Sequence, residues 1–132
     1  MIVTNMTKLF IIGIGGFIGS VSRYLVSGLA QSLSKSISFP YGTFVVNIIG
    51  CFIIGLLSHL SDARGLFSDS SRAFVLIGIL GGFTTFSAFS NETFNLLHYG
   101  ETSSAMLNII GQVVIGLGSV WFGRAVAFWV WR

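Results

Sequence analysis

Gly78-Ile79-Leu80-Gly81-Gly82-Phe83-Thr84-Thr85-Phe86-Ser87-Ala88-Phe89 is the stretch on which the reading of this chain turns. It lies inside a long apolar segment, where an uninterrupted membrane helix carries Leu, Val and Ile. Its twelve positions nevertheless hold three glycines and three small hydroxyl residues. Glycine in a helix interior costs about 1 kcal/mol relative to alanine, and the adjacent Gly81 and Gly82 let the backbone leave helical geometry at little steric cost. The expectation is therefore a helix interrupted between Gly81 and Thr85. In hydrocarbon, freed backbone groups survive only where they are buried in protein or line a polar cavity. Discontinuous helices of this kind turn dipole ends and bare carbonyls toward ions.

The surrounding composition agrees with a membrane setting. The chain has 132 residues, of which 53% are hydrophobic and 8% charged, against about 25% charged in soluble domains. Mean hydropathy is +0.87. Net charge is +3, but the seven basic residues are scattered and form no run that would track phosphates, which argues against a nucleic-acid partner. Cys51 is the only cysteine and closes no disulfide within the chain; its place in an apolar segment reads as small packing. The first apolar run continues past Arg23 without a small-residue cleavage site, so it reads as a retained span rather than a signal peptide. No nucleophile, base and orienting group occur together, so an enzyme is not expected.

A spanning helix needs about 20 apolar residues, and four windows supply them: residues 9–33, 41–60, 73–97 and 104–129. The expected fold is an all-α membrane protein, one domain over residues 1–132, with four transmembrane helices and a broken third. In the first span, Gly15 and Gly19 fit the small-xxx-small pattern of closely packed membrane helices. A dinucleotide-binding glycine loop would need a preceding strand and a βαβ unit. Arg23 follows in the same span and needs a partner, a wet vestibule or a route to the interface; snorkelling, pairing with Glu92 and attraction of an anion are all open. In the second span Thr43, Asn47 and Cys51 are spaced one turn apart on one face. Asn47 reads either as an interhelical hydrogen bond worth about 0.6 to 2 kcal/mol or as an N–H donor to an anion. Phe86 and Phe89 share a face of the third span, while Glu92 sits off the polar stripes. Asn108, Gln112, Gly116 and Ser119 form a stripe down the fourth. His59 and His98 lie at helix ends with no metal-ligand spacing nearby.

Taken in order, Gly15-Gly16-Phe17-Ile18-Gly19 with Arg23-Tyr24, Tyr41-Gly42-Thr43 with Asn47, and Gly81 through Phe89 closely resemble the Fluc (CrcB-type) fluoride channel family. The resemblance implies a four-helix subunit that pairs antiparallel, in dual topology, to form two fluoride pores. It implies a structural sodium ion at the dimer centre, held by backbone carbonyls that fall here on Gly81 and Thr84. It places Phe86, Phe89 and Asn47 along the fluoride path, Arg23 at a polar vestibule, and the protein in the cell inner membrane as a multi-pass exporter of cytoplasmic fluoride. Many relatives carry a hydroxyl where this chain has Gly116, which leaves Gln112 and Asn108 to supply polarity in the fourth span.

Those implications make physical sense. Fluoride is small and strongly hydrated, so its water must be replaced by N–H and O–H donors such as Asn47, Thr43, Thr85, Ser87 and Gln112. Aromatic ring edges carry the positive part of the quadrupole and hold an anion weakly enough for conduction. Both termini and the loop between spans two and three share a side carrying Lys8, Arg64, Arg72, Arg124 and Arg132, against Lys35 and Arg23 opposite. That bias favours cytoplasmic termini, whereas an antiparallel homodimer requires both insertions; a paired heterologous subunit is the alternative. The competing function is a small proton-coupled four-helix membrane exporter, for which only Glu92 could carry the proton.

Overall fold

The computed structural model describes residues 6–65 and 67–131, except the side chain of Arg64, so the contributions of that side chain and of Arg132 to the charge bias lie outside the described residues. Four stretches, Met6–Ser34, Tyr41–Ala63, Asp69–His98 and Thr102–Val130, are long and apolar enough to cross a membrane. Each contains one of the four expected windows. The elements are α1 (Met6–Ser34), α2 (Tyr41–Arg64), a third span in two pieces, and α5 (Thr102–Val130). The first piece, α3, runs through Asp69–Arg72, wide π-helical turns over Ala73–Leu80 and a closing turn Gly81–Phe83; the second, α4, is Phe86–His98. No strand occurs among the described residues.

The connections are short and locally bonded. Gln31 staples the first loop: its Nε2 donates to Ser36 O at 2.8 Å and Phe39 O at 3.2 Å, while its Oε1 accepts from Gly42 N at 3.0 Å. Gly65 ends α2 with φ 58°, a left-handed conformation that an L side chain resists. Ser68 caps α3 by accepting from Ser71 N at 3.2 Å. Two exposed ion pairs, Lys8 with Asp69 and Arg124 with Asp62, tie neighbouring helix ends together and add little stability.

Large apolar side chains such as Phe10, Phe17, Leu25, Leu33, Leu107 and Leu117 are exposed, as a lipid-facing surface requires. In the interior, Val46, Ala105, Asn108 and Ala127 have no exposed surface, and Leu60, Leu80, Phe83 and Leu96 are also buried. Between apolar helices in lipid, association depends on close packing rather than on expelling water. α1 accordingly lies along α3, and α2 along α5. At the first crossing a side chain on Gly19 would run into Ile79 O and lie 2.9 Å from Phe83 N. The expected close-packing role of Gly15 and Gly19 is thus what the fold uses. Gly19→Val should therefore force the two backbones apart at a cost of about 1–3 kcal/mol or more, read as lost folded protein on size-exclusion chromatography. A wild-type elution profile and melting temperature would show that the crossing tolerates the spacing.

The interruption is present, but it is not made by the glycine pair. Gly81 is helical, with φ −62° and ψ −37°, and Gly82 lies in the closing turn. The backbone leaves the helix two residues later, at Thr84 (φ −87°, ψ 159°) and Thr85 (φ −152°, ψ 116°), close to the middle of the 30-residue span. Threonine side chains bond backbone groups on both sides of the break. Thr84 Oγ1 and Thr84 N both donate to Leu80 O at 3.0 Å, and Thr85 Oγ1 caps α4 by accepting from Ala88 N at 3.2 Å. Gly82 serves packing instead: a Cβ there would lie 2.6 Å from Gly16 O.

Candidate functional site

A helix cut in mid-span leaves two charged ends facing each other. The last carbonyls of α3 carry the negative end of one dipole and the first N–H groups of α4 the positive end of another. Each end has found a partner from a different helix. Arg23 of α1 donates from Nη1 to Thr84 O at 3.2 Å. Asn47 of α2 bonds both backbone groups of Thr85, accepting from Thr85 N at Oδ1 (2.9 Å) and donating from Nδ2 to Thr85 O (3.1 Å). Its second N–H goes to Gln112 Oε1 of α5, also at 3.1 Å. Asn47 thus substitutes for the missing helical hydrogen bonds at the break, and all of its hydrogen-bonding groups are engaged within the chain.

Gln112 is left asymmetric by that contact. Its carbonyl is used, while its Nε2 is buried and has no partner among the described residues. The hydroxyls divide in the same way. Thr43 Oγ1 spends its only proton on Glu92 Oε1 at 2.7 Å, and Thr84 spends its own on Leu80 O. Thr85 and Ser87 lie 3.2 Å apart and share one hydrogen bond between two O–H groups, so one proton remains available there.

These residues border depressions that share lining residues. The first, of about 420 Å³, is bordered by Asn47, Gly81, Thr84, Thr85, Phe86, Phe89 and Gln112. Its two rings stand 5.5 Å apart at 52°. Cys51 also borders it, and a Cβ on Gly116 would lie 3.5 Å from Cys51 Sγ. The second, of about 780 Å³, holds Arg23, Thr43, Ser87 and Glu92, and Thr85 borders both. A third, of about 420 Å³, lies by the loop residues Ile37, Ser38, Tyr99 and Glu101, and Glu92 borders it as well as the second. Thr85 is thus common to the linings of the first and second depressions, and Glu92 to those of the second and third.

The fold brings together residues that spacing kept apart. Glu92 lay off the polar stripes of the sequence, yet its carboxylate accepts from Thr43, on the same face of α2 as Asn47. Arg23 and Glu92 border one depression without pairing: Arg23 bonds the break and Glu92 bonds Thr43. Asn108, on the stripe with Gln112, faces α4 and donates to Thr93. His59 meets the Phe128 ring edge-on at 6.0 Å and His98 stacks on Phe94 at 6.3 Å. No group of three metal-binding side chains occurs among the described residues.

Comparison with known proteins agrees over nearly the whole chain. The family described as CrcB-like protein, Camphor Resistance (CrcB), matches residues 10–124. Fluoride-specific ion channel FluC 1 of Methanosarcina acetivorans is 44% identical over 122 residues, 92% of this chain and 92% of that one. Fluoride-specific ion channel FluC of Elusimicrobium minutum is 45% identical over 124 residues, 94% of this chain and 96% of that one. Its namesake in Geobacter sulfurreducens is 45% identical over 122 residues, covering 92% and 98%.

Proposed function

The chain belongs to the CrcB family, and from that premise we propose that it is a fluoride-specific ion channel through which cytoplasmic fluoride leaves passively and electrogenically past the broken third span. The observation that carries the pathway is the gathering of Asn47, Thr85, Phe86, Phe89 and Gln112 around one depression beside the break. Fluoride is a stronger acceptor than an amide carbonyl. On arrival it takes over the Asn47 N–H now held by Gln112 Oε1, and the unpartnered Gln112 Nε2 is the second donor. Phe86 and Phe89 present ring edges, which attract the ion without trapping it. Beyond Thr85, the spare proton of the Thr85 and Ser87 pair receives it. Arg23, whose guanidinium has further N–H groups besides the one on Thr84 O, draws anions into the vestibule, and Thr43 stays bound to Glu92.

The working unit is an antiparallel dimer of two such chains in the inner membrane, with two pores. In one chain Phe86 is 78% exposed, and a Cβ on Gly81 would meet nothing of its own chain closer than Leu76 O at 4.0 Å. A pore ring and a bare glycine on the surface fit a face that a second copy covers. A structural sodium at the dimer centre fits the carbonyl end of α3. Gly81 and Thr84 would hold it; because Arg23 already donates to Thr84 O in the single chain, the ion would take that carbonyl's second lone pair. Two carbonyls make a partial shell, which the second copy doubles.

The test is fluoride efflux from liposomes followed with an ion-selective electrode. Fluoride should leave rapidly once a potassium ionophore releases the charge, while chloride is retained. The purified protein should have twice the 14.2 kDa chain mass after subtraction of detergent. Efflux that follows only an imposed pH gradient would replace the channel with a proton-coupled exporter, and a strict requirement for a second gene product would replace the homodimer.

A further inference from the structure

Asn108 of α5 has no exposed surface, yet only half of its amide is used. Nδ2 donates to Thr93 Oγ1 at 2.9 Å, whereas Oδ1 has no partner among the described residues. An unpartnered buried amide carbonyl opposes folding, so an apolar residue of the same size would suit this position better on stability alone. What Asn108 supplies is a direction. The Thr93 hydroxyl has one proton, and because its oxygen accepts from Asn108 that proton is turned onto Phe89 O, 2.7 Å away and one turn back. Such back-bonding by a threonine bends a helix locally. Here the contact spans the turn from Phe89 to Thr93, directly after the two rings.

We infer that Asn108 is a positioning residue for fluoride conduction: through Thr93 it sets the bend of α4 and hence the attitude of the Phe89 ring toward Phe86. This rests on the reading that the two rings line the fluoride path. Asn108 itself borders neither of the depressions that hold the rings or Arg23, so it acts through Thr93 and does not touch the ion.

Efflux and melting temperature of Asn108→Leu, Thr93→Val and the double variant test the inference. Asn108→Leu should lower fluoride efflux about tenfold without lowering the melting temperature; Thr93→Val should lower efflux as far and the melting temperature too, because it leaves the buried Asn108 amide without its partner, and the double variant should conduct no worse than either, because the two residues act as one unit. With para-fluorophenylalanine at position 89, the fluorine resonance should shift in Asn108→Leu, while the same label at position 128 should not respond. Wild-type efflux in Asn108→Leu, a loss in Asn108→Leu that tracks a fall in its melting temperature, or additive losses of efflux in the double variant would each overturn the role. Phe89→Ile separates the two layers. If it conducts normally the ring pathway itself fails, whereas slow Phe89→Ile beside normal Asn108→Leu removes only the relay.

Discussion

Asn47→Asp should reduce fluoride efflux by about a hundredfold while leaving a protein that still inserts. The substitution keeps the shape and the oxygen that accepts from Thr85 N, but it turns the donor of two hydrogen bonds into a second acceptor. Thr85 O and Gln112 Oε1 would then face a carboxylate oxygen instead of an N–H. An ionised carboxylate in mid-span costs about 2.5–3.5 kcal/mol on insertion scales, and it repels the anion that is meant to pass. Two like unit charges about 6 Å apart at an effective dielectric of about 20 repel by about 3 kcal/mol, which at about 1.4 kcal/mol per decade is about two orders of magnitude in efflux. Liposome efflux beside a size-exclusion profile reads it; normal efflux would mean that Asn47 neither holds the break nor meets the ion.

Phe86→Ile should separate function from stability. The ring is 78% exposed in the single chain and touches Phe89 at 5.5 Å, so little of the subunit's own packing depends on it. At a position exposed within the subunit, a substitution changes the subunit's own stability by no more than about 0.5 kcal/mol. Efflux, by contrast, should fall by more than about tenfold, because isoleucine has no positive ring edge to offer an anion. The decisive measurement is efflux beside thermal unfolding of the same preparation. Unchanged efflux would place Phe86 against lipid rather than ion.

Much of this was legible from the letters, for identifiable reasons. Four apolar windows, each long enough to span, define the fold class because hydrocarbon leaves helices few alternatives. The hydroxyl and glycine content of residues 78–89 announced an interruption, and the spacing of Thr43, Asn47 and Cys51 announced a polar face. The mechanism of the break was misassigned to Gly81 and Gly82, because glycine's conformational freedom and its small size leave the same mark in a sequence. Only the position of Gly16 opposite Gly82 tells which property is used.

The sequence by itself determined the membrane setting, the helix count, the presence of a mid-span interruption and the residue types available to meet an anion, since all of these follow from local composition and periodicity. Tertiary structure alone decided which partners complete the break. Arg23 on Thr84 O, Asn47 across both backbone groups of Thr85, Gln112 behind Asn47 and Glu92 on Thr43 are all contacts between different helices. No repeat within one helix encodes them, because they depend on how closely the glycine-lined backbones approach and on the rotation at which each helix comes to rest.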